Sequence, residues 1–228
     1  MQMLSSIIVS NRHKKQESEH LFPAFRFCPL KGAVLMKICL FGASSNSLDP
    51  IYYSDAKELG RLIGLGGHTL IYGGSDCGLM RSCASGVLET NGRILGIAPR
   101  FFLEADILSE YCTDFLYTET MSERKQAMED NADAFITLPG GIGTYDEFFE
   151  TLTLKQLRVH SKPVAVLNTA GYFTKLMDLL RDCAEKGFMH PDCLNLFRLC
   201  STPEEALSYV MNDETAHISG KGLTGYTL

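Results

Sequence analysis

The chain has 228 residues, of which 45% are hydrophobic and 21% charged, and its formal net charge is -6 at pH 7. This length and hydrophobic content fit one globular domain that buries a sizeable core. The acidic balance offers no basic surface to nucleic acid, and no stretch reaches the roughly 18 apolar residues that a membrane span needs. We therefore expect the partner to be a small molecule or a second copy of the chain, with no nucleic acid and no membrane.

Eight cysteines are scattered along the sequence without a Cys-x-x-Cys pair. Several lie inside apolar runs, such as Cys39 in KICLFG and Cys200 in FRLCST. This pattern is typical of reduced, mostly buried thiols, and it favours a cytoplasmic location. Because the ligand spacing of a zinc site is missing, we expect no metal.

The first 35 residues differ in composition from the rest. SNRHKKQESEH is polar and charged, and the apolar piece at residues 4–9 is too short for the hydrophobic region of a signal peptide, so export is not expected. We interpret residues 1–35 as a poorly ordered extension or an upstream start, with a docking segment as the alternative. The folded domain is predicted for residues 36–212, followed by a tail at 213–228.

From Met36 onward, short apolar runs alternate with longer segments that suit helices. The runs of strand length are KICLFG, TLIYGG, RILGIAP, DFLYTE, DAFITLPG, PVAVLN and FRLCS. Asp49 and Pro50 are typical of a helix start, and Gly66 and Gly67 of its end. The alternation predicts an α/β fold: a Rossmann-like, doubly wound parallel sheet of about seven strands with helices on both faces.

In such sheets, ligands bind beyond the carboxyl ends of the strands, where loops lead into helices. FGASSNS from Phe41, YGGSDCGLM from Tyr72 and LPGGIGTYDE from Leu138 are predicted to have this position. Glycines let backbone N–H groups approach an anion at the positive end of a helix dipole. Neither the P-loop spacing nor the Gly-x-Gly-x-x-Gly fingerprint is present, so ATP hydrolysis and dinucleotide binding lose support.

Arg124 and Lys125 follow a predicted helix start at Thr120 or Ser122, in the segment TETMSERKQAMEDNA. Cations in a first helical turn face the positive end of the dipole, at a cost of ~0.3–1 kcal/mol each when nothing compensates. Arg124 is therefore a candidate phosphate ligand, since guanidinium binds phosphate oxygens bidentately. The alternative is a pair of solvated surface cations in a slightly different helix register.

Glu147 has two interpretations. Thr144-x-x-Glu147 has the spacing of a capping box, in which Glu147 would satisfy a backbone N–H at the start of its own helix. Alternatively, the carboxylate faces a ligand that bears hydroxyls or a developing positive charge. Spacing alone does not separate the two roles, and one residue could combine them.

Two motifs carry a resemblance to a known family. PGGIGTYDE fits the pattern Pro-Gly-Gly-x-Gly-Thr-x-x-Glu, and MSERK fits Met-x-x-Arg-Lys. Both, at this separation, are similar to the signatures of the LOG family, the cytokinin riboside 5'-monophosphate phosphoribohydrolases often labelled lysine decarboxylase-like. The resemblance spans about Met36 to Met189 and includes YGGSDCGLM and TLKQLRVHSKPVAVLNTAGYF. The departures from the plant members are Leu154 and Lys155 for Trp-Ala, Arg158 for glycine and Asp146 for glutamate.

The resemblance implies hydrolysis of the N-glycosidic bond of a nucleoside 5'-monophosphate, either N6-substituted AMP or AMP, to free base and ribose 5-phosphate, with no cofactor. It implies that Glu147 and Arg124 are catalytic, with Glu147 stabilising an oxocarbenium-like transition state. The substrate-binding residues that it implies are Lys125, Gly140, Gly141, Ile142, Gly143, Thr144, Thr153, Gly74, Ser75 and Ser44. It also implies a homodimer or larger homo-oligomer, formed through the helix DEFFETLTLKQL.

Three other functions stay open at this point. Lysine decarboxylation would need a pyridoxal phosphate Schiff-base lysine, which nothing in the sequence marks, and a larger set of domains. A non-enzymatic nucleotide or molybdenum-cofactor carrier with the same fold would bind phosphate but need no glutamate, so the pair Arg124 and Glu147 argues against it. A broader nucleoside-monophosphate nucleosidase would differ only in its substrate.

Overall fold

The computed structural model describes residues 8–10, 34–104 and 108–212. The strands of these residues are β1 (Ile8–Ser10), β2 (Lys37–Phe41), β3 (Thr69–Tyr72), β4 (Arg93–Pro99), β5 (Asp114–Thr118), β6 (Ala134–Thr137), β7 (Val164–Leu167) and β8 (Arg198–Cys200). The α-helices are α1 (Pro50–Leu65), α2 (Gly78–Glu89), α3 (Arg100–Glu104), α4 (Met121–Asn131), α5 (Ile142–Gln156), α6 (Thr174–Glu185) and α7 (Pro203–Met211). Two short 3-10 helices lie at Thr169–Gly171 and Pro191–Asn195.

All eight strands form one sheet in the order β1-β5-β4-β3-β2-β6-β7-β8. Strands β2 to β8 pair in parallel, and β1 pairs antiparallel with β5. The seven parallel strands confirm the predicted doubly wound, Rossmann-like fold. Strand β1 lies inside the predicted extension. The remainder of residues 1–33 and the tail at 213–228 lie outside the described residues, so those boundaries stay predictions.

The sheet is buried on both faces, which explains why its strands read as continuous apolar runs. In β2, Ile38 and Leu40 pack with α1, α2 and α7, while Cys39 and Phe41 pack on the opposite face with α4, α5 and α6. All four side chains are buried. Because successive side chains of a strand point to opposite faces of the sheet, one apolar run contributes to a core on each face.

Helix α1 has the ends that the sequence predicts. Its N-cap is Asp49, whose Oδ1 accepts a hydrogen bond of 3.0 Å from the backbone N–H of Ile51, and Pro50 is its first residue. Gly66 is the C-cap, and Gly67 has the left-handed φ of 74° that favours glycine.

The chain crosses from one side of β2 to the other at β6, which creates a switch point between these two strands. The strands β3, β4 and β5 extend the sheet on one side of β2, and β6, β7 and β8 extend it on the other. At this point Ala43 N–H donates to Pro139 O at 3.0 Å, and Leu79 N–H donates to Ala43 O at 2.9 Å. The loops after β2 and β6 and the start of α2 are therefore held together where open α/β sheets bind ligands.

No helix in residues 34–104 or 108–212 combines the length and the apolar character that crossing a membrane requires. Every cysteine within those ranges is a free thiol. Burial raises the pKa of Cys112 to about 12 and that of Cys83 well above its ordinary value, so both are unreactive packing residues at neutral pH.

Candidate active site

The glycine loop (residues 138–144) joins β6 to α5 and presents the start of that helix. Gly141 is the N-cap, and the first intrahelical hydrogen bond runs from Tyr145 N–H to Gly141 O at 3.0 Å. The N–H groups of residues 142–144 precede that bond, so the helix itself gives them no acceptor. Together with the positive end of the helix dipole, they form a place suited to an anion.

The chain's own packing requires glycine at only one of the three positions in this loop. A Cβ at Gly140 would overlap the Thr144 side chain, whereas a Cβ at Gly141 or Gly143 would meet nothing within 4 Å. Gly141 has an ordinary φ of -92°, so backbone strain does not require glycine there either. Close approach of a ligand to the backbone is a physical reason for glycine at both exposed positions.

Glu147 lies in the second turn of α5, because the helix begins at Ile142. The capping-box interpretation is therefore wrong: Thr144 and Glu147 lie too far inside the helix to cap it. The Glu147 side chain is only 14% exposed, and its Oε1 accepts a hydrogen bond of 2.8 Å from Arg124 Nη1. Glu147 is thus one half of a nearly buried ion pair between α4 and α5.

Helix α4 starts at the first of the two predicted sites. Thr120 is the N-cap and accepts a hydrogen bond from Glu123 N–H at 3.1 Å, while the Glu123 carboxylate accepts from Glu119 N–H at 2.9 Å. Arg124 N–H already donates to Thr120 O within the helix, and Lys125 lies in the next turn. The prediction that both cations lie in the first turn is therefore wrong. Because the dipole effect is confined to the first turn, the argument that an anion must compensate these cations is weaker.

The Arg124 guanidinium lies against Ile97 in β4 and Gly73, the residue that follows β3. Its Nε donates to Ile97 O at 3.2 Å, its Nη1 donates to Glu147, and its Nη2 occupies the space that a Cβ at Gly73 would fill. With a side chain 8% exposed, Arg124 is not a solvated surface cation. Two of its donor groups are engaged by the protein, which favours a role in orienting and balancing Glu147 over bidentate phosphate binding.

Further charged side chains of α4 and α5 lie close to the Arg124–Glu147 pair. Burial raises the pKa of the Glu147 carboxyl, and the Arg124 charge opposes that rise. Lys125 Nζ lies 2.5 Å from Glu150 Oε2 and 3.1 Å from Asp146 Oδ2, and these carboxylates raise its pKa. The predicted substrate ligand Lys125 is therefore already paired with acidic residues of α5.

A small cavity of about 10 Å³, room for roughly one water molecule, lies beside Glu147. Its lining residues are Phe41, Lys125, Glu129, Glu147, Glu150 and Thr151. Burial, with the charges of Glu150 and Asp130, raises the pKa of Glu129 to about 7. Nothing in the sequence singled out Glu129, because its burial arises from residues distant in the chain, such as Phe41 and Thr151.

The stability of E129Q relative to wild type is expected to be greater at pH 8 than at pH 5. A carboxyl whose pKa is raised on folding stabilises the folded state below its unfolded pKa of about 4.3, and this contribution is lost as pH rises through about 7. Discounting for solvent screening, we expect the difference in unfolding free energy between E129Q and wild type to be about 1–2 kcal/mol larger at pH 8. Urea denaturation at both pH values measures this.

E185Q is the matched control for this measurement, since Glu185 is an exposed carboxylate at the end of α6. The unfolding free energy of E185Q relative to wild type should be the same at both pH values. An E129Q difference that does not change with pH would contradict the assignment of a raised pKa to Glu129.

The remaining predicted ligands lie along the neighbouring strand ends. Ser44 is exposed in the loop after β2. Gly74 follows β3 with a left-handed φ of 72°, and its carbonyl accepts from Ser109 N–H at 2.7 Å. Ser75 Oγ lies 2.8 Å from Cys77 Sγ, just before α2. These three residues share the sheet edge that carries the glycine loop.

Thr153 is a predicted ligand that the fold separates from Glu147. It lies six residues further along α5, which corresponds to roughly 9 Å of helix rise and a different helix face. Its hydroxyl donates to Phe149 O at 2.7 Å in its own helix, and the residue is exposed. Within one chain, Thr153 does not join the group around the ion pair.

Three groups that the sequence did not single out contribute to this geometry. The Ile97 carbonyl holds Arg124, and Gly73 leaves the space for its guanidinium. The Tyr172 hydroxyl donates to Gly140 O at 2.6 Å. A backbone carbonyl gives no sequence signal, but Tyr172 lies in the AGYF run soon after β7, where the fold class already directs attention.

A larger hollow of about 680 Å³ lies at the opposite end of the sheet. Its lining includes Met36, Asp133 and Pro163, which immediately precede β2, β6 and β7. Parallel sheets of this class bind ligands at the carboxyl ends of their strands, so the glycine loop and the ion pair remain the candidate site. Among the residues with described side chains, no three His, Cys, Asp or Glu form a group that could hold a metal ion.

Comparison with known proteins gives a family match and a fold match. Residues 80–210 match the family model described as "Possible lysine decarboxylase". A probable cytokinin riboside 5'-monophosphate phosphoribohydrolase of Oryza sativa subsp. japonica is 33% identical over 171 residues, 75% of this chain and 70% of that protein. A cytokinin riboside 5'-monophosphate phosphoribohydrolase of Arabidopsis thaliana is 34% identical over 161 residues, 71% of each chain.

Among solved structures, the molybdenum cofactor binding protein from Rippkaea orientalis has a TM-score of 0.60 and 23% identity, covering 78% of this chain and 96% of that one. The molybdenum cofactor carrier protein from Chlamydomonas reinhardtii has a TM-score of 0.60 and 20% identity, with the same coverage. At these identities the structural likeness concerns the fold alone.

Proposed function

The chain belongs to the LOG-type family of possible lysine decarboxylases, and from this membership we propose that it hydrolyses the N-glycosidic bond of a nucleoside 5'-monophosphate. The products are the free base and ribose 5-phosphate. The observation that carries the proposal is the nearly buried Arg124–Glu147 pair, which lies at the switch point beside a helix start suited to phosphate.

The chemistry assigns a different task to each part of the site. As the base leaves with the bonding electrons, positive charge grows on the ribose, and the Glu147 carboxylate stabilises that charge. Water then supplies its oxygen to the anomeric carbon, and the proton that it releases balances the one taken up by the base. Residues 141–144 hold the 5'-phosphate through backbone N–H groups.

Arg124 serves the same step through Glu147. Burial alone would favour a protonated, uncharged Glu147, which could not stabilise a cation, and the adjacent guanidinium opposes that protonation. The contact from Ile97 O keeps the guanidinium in place. Arg124 therefore both fixes the direction of the carboxylate and preserves its charge.

Incubation of the purified protein with AMP, GMP, CMP and N6-isopentenyl AMP, followed by chromatography of the released base, tests the proposal. Release of base from at least one nucleotide, and not from its 5'-dephosphorylated nucleoside at the same rate, is the expected result. Binding of nucleotides without release of any base would replace the proposal with a carrier function. The same comparison identifies the preferred base.

Replacing Gly143 by alanine is expected to weaken binding of the phosphate-bearing substrate without weakening the fold. Because a Cβ at this position meets open space and lies in a helix, stability should stay equal or rise by about 0.5–1 kcal/mol. The added methyl group should obstruct the phosphate and raise KM roughly tenfold, equivalent to about 1.4 kcal/mol. Steady-state kinetics and thermal unfolding measure the two effects.

I142A is the matched control, because it shortens a side chain that is 90% exposed and keeps the backbone N–H group of residue 142. Its KM should stay within about twofold of the wild-type value, a difference of about 0.4 kcal/mol. A G143A protein with unchanged KM would show that no ligand approaches this part of the loop.

We also propose that the chain forms a homodimer or larger assembly. The surface of α5 supports this: Phe149 is 39% exposed, and Leu157, which follows the helix, is 67% exposed. Apolar side chains exposed together on one element are typical of protein contacts.

A further inference from the structure

Tyr172 makes an unusual contact with the glycine loop. Its hydroxyl donates to the carbonyl oxygen of Gly140 at 2.6 Å, although the two residues lie 32 positions apart in the sequence. A side chain that follows β7 thus reaches the loop that follows β6. Contacts of this kind fix the orientation of a peptide group, because a peptide unit is planar.

The orientation of one carbonyl determines that of the adjacent N–H. In a trans peptide, the C=O of Gly140 and the N–H of Gly141 point in opposite directions, and no cis peptide bond occurs in the described residues. Since the Tyr172 hydroxyl lies on the carbonyl side, the Gly141 N–H is turned away from Tyr172. Gly141 is exposed, and a Cβ there would meet open space, so its N–H lies in a part of the loop that a ligand can approach.

The preceding peptide is fixed in the same way. The Pro139 carbonyl accepts a hydrogen bond of 3.0 Å from Ala43 N–H. Two successive carbonyls of the loop are therefore bound by groups outside it, one from the β2 loop and one from Tyr172. Without such contacts, the glycine loop could rotate these peptides at little cost, since glycine restricts its backbone least.

Tyr172 is itself held by a turn with costly backbone geometry. Ala170 has a left-handed φ of 51°, which residues other than glycine seldom adopt, and Gly171 follows with a φ of 74°. Two hydrogen bonds stabilise the turn. Thr169 Oγ1 donates to Asp55 Oδ2 at 2.6 Å, and Asn168 Oδ1 accepts from Phe173 N–H at 2.7 Å. Backbone strain of this kind persists where the surrounding contacts fix it, and it often accompanies a functional site.

Neighbouring rings restrict Tyr172 further. The Tyr52 ring lies edge-on at 6.2 Å between centroids, and the Phe173 ring lies edge-on at 5.0 Å. Burial and the neighbouring Tyr172 hydroxyl raise the pKa of Tyr145 to about 12, so the Tyr145 phenol remains protonated at neutral pH. The Tyr172 hydroxyl is thus presented to the loop in one orientation.

We infer that Tyr172 is a positioning residue for phosphate recognition, which acts by holding the Gly140–Gly141 peptide so that the Gly141 N–H faces the 5'-phosphate. This inference rests on the proposed function and deepens it. Tyr172 touches neither the phosphate nor the reacting bond. Its removal should therefore affect phosphate-bearing ligands selectively and leave the cleavage step largely intact.

Y172F tests this inference, because it removes one hydroxyl and keeps the ring. Calorimetric titration with ribose 5-phosphate should give a Kd roughly five- to tenfold weaker than in wild type, the range expected for one neutral hydrogen bond. The Kd for adenosine, which lacks the phosphate, should change less than about twofold. In kinetics with the preferred nucleotide, KM should rise while kcat stays within about twofold.

Y52F is the matched control, since it removes one hydroxyl from a ring that contacts Tyr172 and keeps both rings. Equal weakening for ribose 5-phosphate and adenosine, unchanged affinity for both, or the same change in Y52F would overturn the inference. Thermal unfolding of each variant shows whether a general loss of structure explains the result.

The titration also separates this inference from the proposed function. If wild type binds ribose 5-phosphate but cleaves no nucleotide, the proposed hydrolysis is wrong while the Y172F comparison still decides the role of Tyr172. If wild type cleaves nucleotides and Y172F binds ribose 5-phosphate normally, only the inference on Tyr172 is wrong.

Discussion

Replacement of Glu147 by glutamine is expected to lower kcat by roughly 10²–10³, equivalent to about 3–4 kcal/mol of transition-state stabilisation. Glutamine keeps the size of the side chain and an oxygen that can accept from Arg124 Nη1, but it removes the negative charge that faces the ribose cation. The loss should therefore appear in kcat more than in KM. Steady-state kinetics with the nucleotide that wild type cleaves provide the measurement.

The same change leaves the Arg124 guanidinium buried without a counter-charge, so E147Q should also be less stable by about 1–3 kcal/mol. Activity must therefore be compared at a temperature where both proteins are folded. D146N is the matched control: Asp146 is the preceding residue of α5, and its side chain is 59% exposed. A folded E147Q enzyme with near-normal kcat would remove Glu147 from catalysis and leave it as a structural partner of Arg124.

Replacement of Arg124 by alanine is expected to have the largest effect on stability, a loss of about 3–5 kcal/mol, because it leaves the Glu147 carboxylate buried and unpaired. It also removes the charge that opposes protonation of Glu147. The pKa of Glu147 should rise further, and activity that depends on the ionised carboxylate should be lost at a higher pH than in wild type. Urea denaturation and a pH profile of kcat/KM measure these effects.

R124K is the companion variant if R124A does not fold, because lysine keeps the charge and loses the planar donors. It should hold the pKa of Glu147 closer to its wild-type value while still lowering kcat. R100A is the stability control, since Arg100 and Glu119 form an ion pair whose side chains are 52% and 65% exposed, and its loss should cost less than about 1 kcal/mol. An R124A pH profile that coincides with the wild-type profile would contradict the assigned coupling to Glu147.

The predictions from local sequence succeeded where neighbouring residues decide the structure. The caps of α1 at Asp49 and Gly66 depend on groups within one turn of the chain, and the structure has both. The apolar runs correspond to β2 to β8 because burial on both faces of a parallel sheet leaves a direct trace in the sequence. The loop regions of the site followed from this, since the fold class places ligands at the carboxyl ends of the strands.

The capping-box interpretation of Glu147 was wrong because the sequence around Thr144 is compatible with two different helix starts. Thr144-x-x-Glu147 has capping-box spacing, but α5 begins with Gly141 as its N-cap. The start of α5 depends on where β6 ends, and the hydrogen bond from Tyr172 to Gly140 lies between the two elements. A window of four residues shows neither the end of β6 nor this hydrogen bond.

For this protein, the sequence by itself determined the order of strands and helices, the glycine loop at the end of β6 and the family resemblance. These depend on periodicity, turn residues and motif spacing, which are local properties of the chain. Only the tertiary structure decided that Arg124 and Glu147 form one nearly buried pair, that Glu129 is buried beside them and that Thr153 lies apart. The physical reason is that burial and charge pairing arise between elements, so α4 and α5 must pack before these side chains acquire their partners, their exposure and their pKa shifts.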